Sequence, residues 1–235
     1  MITARRVDRE LLDDLPADDP RAIHSRRDLR LCNALMFQPA IMARLLARHC
    51  GKGPRTIVDL GAGDGTFALA VARRLAHRWP NVRVTLVDRL HIVSNATLAA
   101  FDGLGWQAER LSADVFDFFD SPRQFDLVTA NLFLHHFQTA RLAELLATIA
   151  RSAKVFVAGE PRRGPVAAVG CRFLRAFGCN EITLHDSAAS VRAGFRGKEI
   201  SALWPREGGW DLSERGAIPF THCFAANRAE PGAVF

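Results

Sequence analysis

"IVDLGAGDGTFALAVARRL", from Ile57 to Leu75, joins an apolar run to a helical pattern through a turn that contains three glycines. The apolar run before the turn is typical of a buried strand, and apolar residues recur at helical spacing after it. Glycine lets the backbone turn tightly and approach a bound molecule, and the amides at the start of a helix point outward. The segment therefore predicts a strand, a ligand-binding turn at Gly61, Gly63 and Gly65, and a helix.

Strand-like and helix-like segments alternate after this turn. Short β-branched runs separated by about 10–15 helical residues are typical of βαβ units, which form a parallel sheet with helices on both faces. Strands are predicted at 56–60, 83–88, near 107–112, 125–133 and 154–160, and helices at about 65–78, 91–103 and 138–151. Two more strands within 209–227 are expected to form an antiparallel pair at the sheet edge. The predicted fold class is α/β, a doubly wound, Rossmann-like sheet of seven mostly parallel strands.

Composition narrows the class of protein. The five cysteines are scattered, with no CxxC or CxxH pair, so we expect reduced thiols in a cytoplasmic protein and no metal site. The first residues are charged and no run of about 18 apolar residues occurs, so neither a signal peptide nor a membrane span is predicted. The formal net charge is +6, but the arginines are dispersed along the chain, which argues against nucleic acid as the partner.

The spacing of the glycines separates two kinds of ligand. A dinucleotide site requires GxGxxG, whereas this turn reads GxGxG, with Thr66 at the position of the third dinucleotide glycine. Asp59 lies two residues before Gly61, where a carboxylate would repel a pyrophosphate and could hold an ammonium group. The pattern favours a nucleoside that carries an amino acid and no phosphate.

With these features, residues 55–160 resemble the class I methyltransferases, whose cofactor is S-adenosylmethionine. The acid and glycine motif of that superfamily appears as Asp59, Gly61, Gly63 and Gly65. Asp88, at the end of the next predicted strand, matches the acid that holds the ribose hydroxyls. The resemblance implies that S-adenosylmethionine binds at these three glycines and two acids.

Further cofactor contacts follow from the same resemblance. Within "SADVFDF", Asp114 matches the residue that accepts from the exocyclic amine of adenine, and the Val115 amide would reach a ring nitrogen. Leu90 and Val115 are the candidates to sandwich the adenine. Asn131, at the end of the fourth predicted strand, completes the expected cofactor-binding set.

The segment "ANLFLHHF" after the fourth strand carries the candidate catalytic residues. It departs from the [DN]PP[YF] sequence of amine methyltransferases and is similar to quinone-biosynthesis methyltransferases and their relatives acting on phenols, quinols and polyketides. His135 or His136 could take a phenolic proton, because an unperturbed imidazole has a pKa near ~6.5. Glu160 is expected to lie where the acceptor binds, and the segment "GEPRR" that contains it resembles methyltransferases encoded beside bacterial type III polyketide synthases.

The expected organisation is a single domain in four parts. These are an N-terminal helical cap (1–54), of which 1–20 is expected to be a mobile or loosely packed start, a cofactor-binding core (55–160), a helical substrate-side insertion (161–208) and the terminal strand pair (209–235). A cluster of phenylalanines lies near the expected cofactor site and either shapes an apolar acceptor site or packs in the core: Phe116, Phe118, Phe119, Phe133 and Phe137.

Three functions are compatible with these features. The first is methyl transfer from S-adenosylmethionine to an oxygen, or an activated ring carbon, of an aromatic small molecule by a monomer or homodimer. The second is methylation of RNA or protein, which the basic charge balance suggests. The third is a cofactor-binding scaffold without turnover.

Overall fold

The computed structural model of the chain describes residues 4–120 and 123–229. The helices of this part of the chain are α1 (Pro20–Leu35), α2 (Gln38–His49), α3 (Thr66–Leu75), α4 (Asn95–Asp102), α5 (Val115–Phe118), α6 (Thr139–Ser152), α7 (Pro165–Phe173), α8 (Glu181–Ala193) and α9 (Glu199–Leu203). The strands are β1 (Thr56–Leu60), β2 (Arg83–Asp88), β3 (Gln107–Ser112), β4 (Phe125–Asn131), β5 (Ala153–Pro161), β6 (Trp210–Ala217) and β7 (Thr221–Arg228). Short 3-10 turns span Leu12–Asp14, Leu134–His136 and Leu174–Phe177.

The strands form one sheet in the order β3-β2-β1-β4-β5-β7-β6. Strands β1 to β5 are parallel, and β7 is antiparallel to both β5 and β6. The predicted seven-stranded, mostly parallel, doubly wound sheet is therefore confirmed. The strand order reverses between β1 and β4, and open sheets of this type bind ligands at the carboxyl ends of such strands.

Helices cover both faces of the sheet, which explains why its central strands are apolar on both sides. Val58 and Leu60 in β1, and Leu127 and Val128 in β4, are fully buried. One hydrophobic cluster includes residues of α2, α3 and α4, and the other includes residues of α5, α6 and α9. Burial of this apolar surface, at about 25 cal/mol per Å², holds the strand ends in a fixed arrangement.

Most element boundaries lie within a few residues of those expected from the sequence. The helix expected at 91–103 begins later, at Asn95, because the Ser94 side chain caps it by accepting from the Thr97 amide at 3.0 Å. The break between α1 and α2 falls at Phe37, which adopts φ 54°. The predicted terminal strand pair is present within 209–229, and residues 230–235 lie outside the described residues.

The expectation of a loosely packed start is wrong for the N-terminal segment, which we define as residues 5–14. The Arg5 side chain donates hydrogen bonds to the carbonyl oxygens of Ala193, at 2.7 Å, and Phe137, at 2.8 Å. The amides of Leu11 and Leu12 donate to the carboxylate of Asp186 at 2.8 and 2.9 Å. These contacts dock the segment against α8 and the turn after β4. In the two described ranges, no helix combines the length and the apolar character that crossing a membrane would require.

Candidate active site

The glycine turn after β1 depends on backbone conformations that favour glycine. Gly61, Gly63 and Gly65 have φ values of 67°, 58° and 74°, all in the left-handed region. A Cβ atom at Gly61 would collide with the ring of Phe133, whereas one at Gly63 would meet no described atom within 4 Å. Gly61 therefore serves close packing, and Gly63 faces the open space where a ligand can approach the backbone.

Asp88 fixes this turn from the neighbouring strand. Its Oδ2 accepts from the Gly63 amide and its Oδ1 from the Leu90 amide, both at 2.8 Å. Each oxygen retains a second lone pair for a further donor, as a ribose diol would require. Leu90 is 41% exposed beside it, so its side chain is free to cover a bound ring.

Asp59 is buried at the end of β1. It lines a cavity between the N-terminal segment, α1, the glycine turn, α7 and α8, which we call the main cavity. The Thr129 hydroxyl donates a hydrogen bond to its carboxylate at 2.8 Å. Burial raises the pKa of Asp59 to about 7; the charge of Asp88 acts in the same direction and the hydrogen bond from Thr129 opposes it. A cationic group placed beside this carboxyl would favour its ionised form, which suits the ammonium of an amino acid.

Asn131 supplies the clearest sign that a ligand belongs here. Among the described residues, its Oδ1 is buried without a hydrogen-bond partner, while its Nδ2 lies 3.4 Å from Oδ1 of Asn33. Both asparagines line the main cavity. A buried polar atom without a partner is costly, so a donor from a bound molecule would stabilise this site. Together with the open face of Gly63, it fits an adenosine cofactor that carries an amino acid.

The predicted adenine contacts lie at the ends of β2 and β3. Asp114 caps α5, since its Oδ1 accepts from the Phe116 amide at 2.9 Å, and Val115 is buried. Asp114, Val115, Asp88 and Leu90 do not line the main cavity. The predicted cofactor residues thus form two groups. One group lines the main cavity and comprises Asp59, Gly61, Gly63 and Asn131. The four residues at the ends of β2 and β3 lie outside it.

The main cavity has a volume of about 470 Å³ and lies between the N-terminal segment, α1, the glycine turn, α7 and α8. Its walls are largely apolar, with aromatic side chains from Phe67, Phe173, Phe177 and Phe220. Of the two interpretations of the other phenylalanine cluster, the acceptor site is wrong and core packing is confirmed, because none of its members lines the cavity. Those five residues belong to the core or pack against it: Phe116, Phe118, Phe119, Phe133 and Phe137.

His135 is buried between two carboxylates. Its Nδ1 lies 2.8 Å from Oε2 of Glu160, and its Nε2 lies 3.3 Å from Oε1 of Glu10. Burial alone would lower the pKa of His135, but the hydrogen bonds and charges of these carboxylates outweigh it and raise the pKa to about 9. In this arrangement the imidazole keeps its proton at neutral pH, so His135 could act as a base only after Glu10 moves away.

His136 follows on the same 3-10 turn and is partly exposed to the cavity. Its Nδ1 lies 3.3 Å from Oδ2 of Asp13, and its Nε2 lies 3.7 Å from Oε2 of Glu10. We call Glu10, Asp13, His135 and His136 the histidine cluster. All four members line the main cavity, so the two predicted histidines are brought to its wall.

Glu160, the third predicted catalytic residue, is fully buried and does not line the cavity. Its Oε1 accepts from the amides of Phe133 and Leu134 at 3.0 and 2.9 Å. Its Oε2 receives the Nδ1 contact from His135. These bonds orient the 3-10 turn that presents the histidines, so the geometry fits a positioning role better than contact with an acceptor.

Sequence reasoning missed Glu10 and Asp13. They are separated from the histidines by 125 and 123 residues, and a single sequence carries no local pattern that links such distant positions. Arg5 was missed for the same reason, although its side chain also donates to the carbonyl of His135 at 3.1 Å.

The sheet order, the glycine turn and the acids at the strand ends define a protein of the class I methyltransferase fold, and solved structures share it. An O-methyltransferase family protein from Burkholderia thailandensis has a TM-score of 0.61 at 19% identity, over 91% of this chain and 61% of that one. The plantazolicin methyltransferase BpumL, solved with a monoazolic desmethylPZN analog and SAH, has a TM-score of 0.64 at 16% identity. The match covers 90% of this chain and 91% of that one. The pyocyanin biosynthetic protein PhzM has a TM-score of 0.62 at 18% identity, and the match covers 90% of this chain and 60% of that one. At identities this low, the structural matches show that the fold is shared and do not extend to function.

The sequence comparisons find a similarity in the central part of the chain. Residues 57–155 match the family described as "Methyltransferase domain". A stretch of 78 residues is 40% identical to a malonyl-[acyl-carrier protein] O-methyltransferase of Geobacter sulfurreducens, covering 32% of this chain. The match spans 27% of that curated relative, about a quarter of its length. Residues 57–155 are therefore similar to a methyltransferase domain, in agreement with the fold.

Proposed function

We propose that the protein transfers a methyl group from S-adenosylmethionine to a hydroxyl oxygen, or an activated ring carbon, of an aromatic small molecule. One observation carries this proposal: the cofactor-side residues Asp59, Gly63 and Asn131 and the histidine cluster line the same largely apolar cavity. A volume of about 470 Å³ falls within the range of small-molecule sites, which is about 300–1,000 Å³.

Each cofactor-side residue has a defined task in this proposal. Asp59 and the free Oδ1 of Asn131 hold the ammonium group, and Asp88 holds the ribose hydroxyls. Leu90 and Val115 enclose the adenine, and Asp114 accepts from its amine. S-adenosylmethionine supplies a methyl carbon bonded to a positively charged sulfur, which departs with the electron pair of that bond.

The chain contributes mainly by placing the acceptor. Phe173, Phe177 and Phe220 offer apolar contact to an aromatic ring within the cavity. His136 of the histidine cluster faces the same space and takes the hydroxyl proton as the acceptor oxygen bonds to the methyl carbon, because His135 keeps its own proton while Glu10 is in place. Glu160 and Arg5 act through the 3-10 turn, because both hold the backbone that carries His135. The names of the fold relatives, an O-methyltransferase family protein and a pyocyanin biosynthetic protein, support small-molecule methylation.

A methyl-transfer assay on the full chain tests the proposal. The purified protein is incubated with labelled S-adenosylmethionine and separate panels of phenols and quinols, aromatic polyketides, RNA and carrier protein. Transfer to an aromatic acceptor, recorded by mass spectrometry as a gain of one methyl group, is expected. Transfer confined to RNA or protein would overturn the acceptor class, and tight S-adenosylhomocysteine binding without turnover on any panel would indicate a scaffold.

A further inference from the structure

The two histidines of the cluster share one hydrogen-bonding arrangement. Nδ1 of His135 faces the carboxylate of Glu160 and Nδ1 of His136 faces that of Asp13. An ionised carboxylate only accepts, so each Nδ1 carries the hydrogen. In a neutral imidazole this leaves the Nε2 lone pair exposed. Both Nε2 atoms face the carboxylate of Glu10, which is itself an acceptor.

The distances inside the cluster are close to those between ligands of one ion. The Nε2 atoms of His135 and His136 lie 3.3 and 3.7 Å from the oxygens of Glu10. Charge-assisted N–H···O bonds are about 2.7–2.9 Å long, as the contact between His135 and Glu160 is at 2.8 Å. Four tetrahedral ligands bound at about 2.0–2.1 Å lie roughly 3.3–3.4 Å from one another.

The surroundings are also those of a metal site. Histidines that bind metals usually donate their other ring N–H to a carboxylate or carbonyl. Nδ1 of His135 faces Glu160 in this way at 2.8 Å, and Nδ1 of His136 faces Asp13 at the longer distance of 3.3 Å. The Ser190 hydroxyl donates to Oε1 of Glu10 and fixes that carboxylate. One ligand atom from each of Glu10, His135 and His136 can be chosen so that all lie within 4.8 Å of one another.

We propose that Nε2 of His135, Nε2 of His136 and the carboxylate of Glu10 bind one divalent transition-metal ion at the wall of the acceptor cavity. Imidazole and carboxylate ligands suit Zn²⁺, Co²⁺ or Mn²⁺. Three protein ligands leave a coordination position open, where an acceptor hydroxyl could bind and lose its proton to water more readily. With the ion bound, the ion replaces His136 as the group that activates the hydroxyl, because Nε2 of His136 is then a ligand. This proposal departs from the sequence-based expectation of no metal site.

The ion would also tie the N-terminal segment to the core, because Glu10 belongs to that segment and the histidines follow β4. The proposal does not depend on methyl transfer, since metal binding is measured with neither cofactor nor acceptor present. An inactive protein that binds the ion would therefore overturn the proposed function and leave the metal site standing.

Isothermal titration of the chelator-treated full chain with Co²⁺ tests the site. We expect one ion per chain, with affinity reduced about tenfold or more in Glu10→Gln and in His136→Ala. His77→Ala is the matched control, because His77 is exposed and remote from the cluster, and its affinity should equal that of the unsubstituted chain. Circular dichroism verifies that each variant is folded.

The absorption spectrum of the bound Co²⁺ identifies its ligands. Nitrogen and oxygen ligands give visible bands without thiolate charge-transfer absorption, as the proposal requires. Thiolate bands would place the ion on cysteines such as Cys32 and Cys171, which also line the cavity, and would overturn the proposal. Equal affinity in Glu10→Gln and the unsubstituted chain, or no binding at all, would show that protons alone occupy the cluster and would likewise overturn it.

Discussion

The backbone N–H of Gly63 donates a hydrogen bond to Oδ2 of Asp88, with 2.8 Å between the two atoms. The other carboxylate oxygen of Asp88 accepts from the Leu90 amide. One side chain at the end of β2 thus holds both the turn after β1 and the residue expected to cover the adenine. The glycine conformation and the position of the acid are therefore parts of the same binding site.

Replacing Asp88 should weaken cofactor binding. In Asp88→Ala we expect the dissociation constant of S-adenosylhomocysteine, measured by isothermal titration, to rise about tenfold or more, because hydrogen bonds to a charged group are worth about 1.5–3 kcal/mol. Asp102→Ala removes an exposed carboxylate at the end of α4 and should leave the constant unchanged. Equal affinity in Asp88→Ala and the unsubstituted chain would refute the assignment.

Gly63→Ala should separate backbone strain from loss of ligand space. Gly63 and Gly105 have φ values of 58° and 74°, and a Cβ atom at either would meet no described atom within 4 Å. Alanine at each should lower the free energy of unfolding by a similar amount, about 1–2 kcal/mol, measured by thermal denaturation. Only Gly63→Ala should also lose S-adenosylhomocysteine binding, because its methyl group enters the proposed cofactor space. Unimpaired binding in Gly63→Ala would place the cofactor elsewhere.

The affinity for S-adenosylhomocysteine should rise with pH between about 6 and 8. Burial raises the pKa of Asp59 to about 7 in the free protein, and the ligand ammonium attracts only the ionised carboxyl. Below this pKa, binding must release a proton, so affinity falls by up to about tenfold per pH unit as pH decreases; above it, affinity levels off. Asp59→Asn, which does not titrate, should give weaker and flatter binding across this range. A pH dependence that persists in Asp59→Asn would assign the effect to another group.

Local sequence patterns predicted the strand, the glycine turn and the helix around which the candidate site is built. Residues 57–75 form β1, the glycine turn and α3 because an apolar strand, three left-handed glycines and a helical repeat are all encoded within neighbouring positions. The parallel direction of the first five strands followed from the same alternation, since strands joined by crossover helices form a parallel sheet. Asp59 and Asp88 could be placed because both lie at the carboxyl ends of predicted strands.

The remainder of the site depends on contacts between distant segments. Glu10 reaches the histidines from a polar stretch whose composition indicates loose packing, and its docking depends on Arg5 and on Asp186 of α8. Phe137 is aromatic and near the site in sequence, but it packs against the core. No single-sequence pattern reports which way such side chains face.

Glu160 provides the most direct test of how the histidine turn is held. Its side chain is fully buried, and it accepts from the amides of Phe133, Leu134 and His135 as well as from the His135 ring. A carboxylate that satisfies this many donors stabilises the turn and also orients the imidazole. A conservative substitution can remove the charge while keeping one accepting oxygen.

In Glu160→Gln we expect the free energy of unfolding to fall by about 1–3 kcal/mol, because the amide group leaves buried donors unsatisfied. Turnover should fall as well, while S-adenosylhomocysteine affinity stays within about twofold, since Glu160 does not line the cavity. Glu144→Gln, at an exposed ion pair with Arg141, should change stability by less than about 0.5 kcal/mol. Thermal denaturation, titration and the methyl-transfer assay on the same preparations separate these effects. Loss of stability with undiminished turnover would mean that Glu160 supports the fold without positioning the histidines.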